Sequence, residues 1–157
     1  MWLKTIINED FNNYKKPSMV LAFPSCTFKC DLECGKNVCQ NSELTKSENK
    51  FYHIEYIIEK YLNNNITHSI VCGGLEPMDS FNDLLEFIHK FRRVSTDDII
   101  IYTGYNENEI QENINILSKY ENIIIKFGRF VPNQQSHYDE ILGVKLASDN
   151  QYARKIS

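Results

Sequence analysis

The chain has no apolar run longer than about five or six residues, whereas a membrane-crossing helix needs about 20. We therefore expect no membrane span. Positive charge is not in excess: the formal net charge is −4, which gives no general attraction to phosphate backbones and argues against direct nucleic-acid binding. No Walker loop, dinucleotide fingerprint or hydrolase nucleophile elbow occurs, which removes the commonest motif-borne chemistries. The four histidines, His53, His68, His89 and His137, are dispersed without metal-ligand spacing, and we assign them surface or capping roles. An even cysteine set is also missing. Five cysteines, four of them crowded, suit a reducing compartment better than a disulfide framework. Met1 to Asp10 lacks an uninterrupted apolar stretch, so we expect no secretory signal and a cytoplasmic setting. With no repeat, low-complexity tract or linker, the 157 residues read as one domain, 1–157, burying roughly two-thirds of the surface the unfolded chain exposes.

Short β-branched runs alternate with segments of helical period. Met19–Phe23 is a continuous apolar run of the kind buried on both faces of a parallel sheet, and His68–Cys72, Asp98–Tyr102 and Ile123–Phe127, the last broken by Lys126, read as further strands. Between them, Phe51 to Asn63, a segment starting at the N-cap candidate Ser80, and Asn106 to Tyr120 carry apolar residues at helical spacing. Leu142 to Ala147 offers an edge strand. Such alternation predicts an α/β fold of mostly parallel strands built from βαβ units. Four units are too few for a closed eight-stranded barrel, so we expect an open, partial one. Chemistry in such sheets gathers at the carboxyl ends of the strands. The segments leaving those ends are a cysteine loop over 24–41, the Gly73-Gly74 turn, Thr103-Gly104, and Gly128-Arg129.

Four of the five cysteines (Cys26, Cys30, Cys34 and Cys39) lie on that first loop. Structural cysteines scatter through a core as small hydrophobes; converging thiolates suit a metal or cluster. Formally the four could also supply a closed zinc site. Such a site leaves the glycine turns on the other strands without a purpose.

The Cys26/Cys30 pair with a further cysteine, on the loop after the first strand of a partial barrel, resembles the radical S-adenosylmethionine (SAM) enzymes. Their motif is CxxxCxxC, and Glu33 stands where the third cysteine would be. Cys34 repairs the motif with one extra residue, Cys39 with an insertion of six. We favour Cys39. In the family an apolar residue precedes the third cysteine and walls the adenine, which Val38 matches, and Asn41 matches an asparagine found shortly after it in activating proteins. Cys34 is then a loop thiol or an alternative ligand. The resemblance implies a [4Fe–4S] cluster held by Cys26, Cys30 and Cys39. Its fourth iron stays open to the amino and carboxylate groups of SAM, which an electron cleaves to methionine and a 5′-deoxyadenosyl radical.

Gly73-Gly74-Leu75-Glu76-Pro77 resembles the family's GGEP motif with Leu75 inserted. The resemblance implies that Gly73, Gly74 and Glu76 receive the amino group of SAM. Tyr102-Thr103-Gly104-Tyr105, Gly128-Arg129-Phe130-Val131-Pro132 and the stretch Leu146 to Gln151 resemble the activating proteins of anaerobic ribonucleotide reductase. Thr103 and Lys126 are further cofactor-binding candidates, Lys126 for the carboxylate of SAM. No catalytic side chain is assigned. The implied function is generation of a glycyl radical on a partner enzyme, the large subunit of anaerobic ribonucleotide reductase, with a flavodoxin-type electron donor. The alternatives are a radical SAM enzyme acting on a small molecule or peptide, and a non-catalytic zinc or iron–sulfur module.

Overall fold

Four parallel strands form the centre of the structure, a computed structural model describing residues 1–157. In chain order the elements are β1 (Trp2–Leu3), β2 (Thr5–Asp10), β3 (Ser18–Phe23), α1 (Lys29–Cys34), β4 (Lys50–Phe51), α2 (Ile54–Leu62) and β5 (Ser69–Gly74). They continue with α3 (Phe81–Phe91), β6 (Asp98–Tyr102), α4 (Gln111–Leu117), β7 (Ile123–Phe127), β8 (His137–Asp139), β9 (Val144–Leu146) and β10 (Tyr152–Lys155). The main sheet has six strands in the order β10-β7-β6-β5-β3-β2. β3, β5, β6 and β7 run parallel; β2 and β10 are antiparallel edges. No helix is long and apolar enough to cross a membrane.

The parallel strands advance in one direction across the sheet, so crossovers of the same hand place every connecting helix on one face. The packing agrees. Met19, Leu21 and Phe23 of β3, Ile70 and Cys72 of β5, and Ile123, Ile125 and Phe127 of β7 share a core with Ile57, Leu84, Phe87, Ile88, Ile114 and Leu117 of the helices. The alternate residues Val20, Val71, Ile100 and Ile124 point the other way, as the two-residue period of a strand requires. They meet Tyr14, Leu142, Leu146 and Ala153, none of them helical. One face of the sheet is thus closed by helices, and the other is left to loops and the β8–β9 hairpin.

The expected central strands stand within a residue or two of their sequence limits. Three details differ. Ser80 precedes α3 without a side-chain cap bond. The third helix is shorter than 106–120: a 3₁₀ turn at Glu107–Glu109 precedes α4, with the Asn106 N–H held by Glu109 at 2.8 Å. Residues 142–147 do supply a strand, but β9 pairs with β8; the edge of the main sheet next to β7 is β10, whose Tyr-Ala-Arg-Lys sequence carries little strand signal.

Candidate functional site

Carried two residues further, the strand positions on the helix-free face are Ala22, Gly73, Tyr102 and Lys126. Ala22 pairs with Gly73 and Tyr102 with Lys126, so the four make a row across the sheet at the carboxyl ends of the strands. They floor a cavity of about 510 Å³. Cys26, Cys30 and Cys39 line it, together with Asn41, Gly74, Glu76 and Thr103. Cys34 and Val38 do not. Cys72, the fifth cysteine, faces the helices and is fully buried.

The cysteine loop is built from local turns. Phe28, in the left-handed region at φ 53°, opens α1, and Gly35 at φ 65° ends it. The Phe28 N–H donates to Cys26 Sγ at 3.2 Å, and the Thr27 N–H to Asp79 Oδ2 at 2.8 Å. Cys30 lies on α1, and Cys34 one turn further along. Cys39 is then presented by a turn in which the Val38 and Cys39 N–H groups both donate to Asp31 Oδ1, at 2.7 and 2.8 Å. Burial pushes the Cys26 thiol up to about 11. Cys30 is likewise pushed up to about 11, first by burial and then by the neighbouring Cys39 thiol. These groups are therefore thiols until a metal displaces their protons.

The residues fit a cluster. Cys26, Cys30 and Cys39 line one cavity, and three thiolates can hold a cluster by three irons and leave the fourth open.

Glu76 turns inward despite the inserted Leu75 and is only 6% exposed. Its Oε1 accepts from the Met78 N–H at 3.0 Å and the Thr103 hydroxyl at 2.8 Å; its Oε2 accepts from the Gly104 N–H at 2.8 Å. Burial raises this carboxyl to about 7, against the three hydrogen bonds that favour its charge. Oε2 keeps capacity for another donor. Lys126, 7% exposed, donates to the Gly128 carbonyl at 2.9 Å and stands over the Tyr102 ring. Burial pulls its ammonium down to about 8, with Glu76 opposing. Of the two roles open to it, extension into water is thereby removed. A buried carboxyl and a buried amine thus line one cavity, an arrangement suited to the ammonium and carboxylate of an amino acid.

Loop and sheet are stitched together. Asn41 Nδ2 donates to the Gly74 carbonyl at 2.6 Å, and the Glu76 N–H to the Ser25 carbonyl at 2.8 Å. At the rim, Arg129 makes two bonds to Glu109, at 2.8 and 2.6 Å, and Lys29 sits 4.3 Å from the Tyr105 ring centre. Paired with Arg129, Glu109 is held down at about 2. Asp31, Asp79 and Glu109 were not foreseen from sequence. Asp31 has one visible signal, an acidic residue directly after a cavity-lining cysteine.

A family model described as a 4Fe-4S single cluster domain matches residues 18–152. The chain belongs to that family. The match spans the cysteine loop, every parallel strand and the Gly73-Gly74 turn, and it carries the coarse part of the resemblance, an iron–sulfur protein of radical-SAM-like type with one 4Fe–4S cluster. Comparison with curated proteins and with solved structures finds no match.

Proposed function

We propose that the chain is a radical SAM activating enzyme that cleaves SAM reductively and generates a glycyl radical on a partner, anaerobic ribonucleotide reductase being the one the motifs favour. One observation carries this: three thiols meet Gly73, Gly74, Glu76 and Thr103 around one cavity on the helix-free face of the sheet. The one-way winding of the strands supports reading the sheet as the open, partial (β/α) barrel of such enzymes. A cytoplasmic setting and a flavodoxin-type donor belong to the same proposal.

Cys26, Cys30 and Cys39 hold the cluster; when bound, it supplies the electron that breaks the sulfonium C–S bond of SAM to give methionine and a 5′-deoxyadenosyl radical. The side chains do the binding and orienting. Glu76 receives the ammonium of SAM on the free side of Oε2, and that incoming cation favours its ionised form. Lys126 spends one N–H on Gly128 and turns its remaining donors to the carboxylate. Thr103 acts through Glu76, fixing Oε1 so that Oε2 faces the ligand. Val38, half-buried and outside the cavity lining, contributes its backbone N–H to the Cys39 turn.

The test is anaerobic reconstitution with iron and sulfide, followed by SAM and reductant with and without the reductase. The expected result is methionine, 5′-deoxyadenosine and a glycyl radical resonance on the reductase. Cluster loading without SAM cleavage would reduce the chain to a binding module. SAM cleavage with no radical on the reductase would redirect it to a small molecule or peptide.

A further inference from the structure

Against a CxxxCxxC spacing, the third cysteine is displaced by six residues, from position 33 to Cys39. A free loop of that length samples many conformations, and fixing one costs entropy. A single side chain offsets much of that cost here. Asp31 Oδ1 accepts the N–H groups of both Val38 and Cys39, seven and eight residues away, at 2.7 and 2.8 Å. Lys36, Asn37 and Val38 make no other hydrogen bond within the chain.

The placement of Asp31 is otherwise adverse. The same oxygen lies 4.0 Å from Cys30 Sγ, so once iron is bound a carboxylate stands beside a thiolate, and like charges at that distance repel. A residue there only for solubility would sit better on the outer face of α1. Cys34 shows what the insertion avoids: it is nearer in sequence to the motif position, yet it stays off the cavity wall.

We propose that Asp31 is a positioning residue that folds the insertion back onto α1 and so selects Cys39, rather than Cys34, as third cluster ligand. This rests on the assignment of Cys26, Cys30 and Cys39 to the cluster. Second-layer partners of a metal site typically change affinity by about 10–100-fold, which becomes visible as cluster content when iron is limiting.

The experiment compares the full chain with Asp31→Ala and Asp31→Asn, each with and without Cys34→Ala, reconstituted anaerobically at limiting iron. Iron and acid-labile sulfide per chain and the electron paramagnetic resonance of the reduced cluster are read. Asp31→Ala is expected to hold less than about half the wild-type iron, with an altered spectrum, and Cys34→Ala to remove most of what remains. Cys34→Ala alone leaves content unchanged. Asp31→Asn, which keeps an acceptor oxygen, retains the wild-type cluster. A general loss of packing would produce neither the new dependence on Cys34 nor rescue by Asn. Wild-type iron and spectrum in Asp31→Ala, with no dependence on Cys34, would overturn the proposal. Cys39→Ala separates the two levels: a full cluster in that variant sinks the ligand assignment, whereas loss there with an undisturbed Asp31→Ala sinks only the role of Asp31. If Asp31→Ala does not fold, Asp31→Glu displaces the acceptor by one methylene and is read by the same criteria.

Discussion

Gly74→Ala should unfold the site from beneath. Gly74 has φ +82°, and a Cβ there would stand 2.8 Å from Ala22 Cα and 2.9 Å from Ala22 Cβ. The left-handed conformation costs a non-glycine residue about 1–2 kcal/mol. The clash is with backbone of the neighbouring central strand, which cannot swing aside, and overpacking of this kind costs about 1–3 kcal/mol. The sum is about 2–5 kcal/mol, or a fall in Tm of roughly 5–15 °C for a chain of this size. Gly73→Ala is the internal control. A Cβ on Gly73 meets only Tyr102 Cβ, at an ordinary 3.6 Å, so its stability should stay within about 1 kcal/mol of wild type or rise slightly through the unfolded state. That methyl group nevertheless lies on the cavity floor, and SAM binding should weaken. Urea denaturation of both variants, with SAM titrated by calorimetry onto the cluster-loaded protein, separates the two effects. Gly74→Ala within about 0.5 kcal/mol of wild type would refute the close-approach argument, since surface-like substitutions fall in that range.

The buried carboxyl of Glu76 should make the cluster-free chain less stable as pH rises. Its folded pKa is raised from 4.5 to about 7, so the cost of charging it grows between those values and is constant above, on the order of 3 kcal/mol; Glu76→Gln should flatten that slope in denaturation curves at pH 5 and 8, and an unchanged slope would exclude Glu76 as its source. Lys126→Met removes a buried ammonium, and SAM affinity should drop about 10–100-fold, the worth of a charge-assisted bond, while the urea midpoint holds or rises. Equal affinity in the two proteins would free Lys126 from the site. Arg129→Ala removes two charge-assisted bonds to Glu109, which keeps the Asn106 N–H and Lys29, and should cost about 1–2 kcal/mol. Because Glu109 is held at about 2 by Arg129, the contribution of the pair is present above the ordinary carboxyl value of 4.5 and lost as pH falls toward 2. A wild-type and variant difference that persisted undiminished at pH 2 would contradict this.

The strands that build the site were legible because burial on both faces leaves little choice of residue: Met19–Phe23 is apolar without a break, and Ile123–Phe127 is interrupted only by Lys126, a residue of the cavity floor. The same logic hid β10. Tyr152, Arg154 and Lys155 remain exposed, and an edge strand needs only Ala153 to face inward. That Cys26, Cys30 and Cys39 rather than Cys34 line the cavity agrees with the choice the family resemblance suggested, yet the means of presenting Cys39 was not legible, since it rests on a carboxylate–amide contact that no periodicity reports. Glu76 shows the opposite limit. One inserted residue left its direction open by sequence counting, and hydrogen bonds from Met78, Thr103 and Gly104 decide it.

The position of the site follows from side-chain volume along a single row. Crossovers of one hand leave one sheet face without helices, but an open face fills unless the residues on it are small. Along Ala22, Gly73, Tyr102 and Lys126 the two small residues fall on β3 and β5 and the two large ones on β6 and β7. The floor is therefore lowest over β3 and β5, directly beneath the loop that leaves β3 with the cysteines. Toward β6 and β7 it rises into an aromatic ring and a buried ammonium, the end to which the proposed function assigns the carboxylate of SAM. Gly74 serves the same depression twice, letting β3 approach within contact of its Cα and offering its carbonyl to Asn41. Exchange of Ala22 for Val or Ile would therefore fill the low end of the cavity without touching a ligand residue. It should reduce cluster loading and SAM binding together, whereas an equal enlargement at Val71, one layer below the floor, should alter stability first.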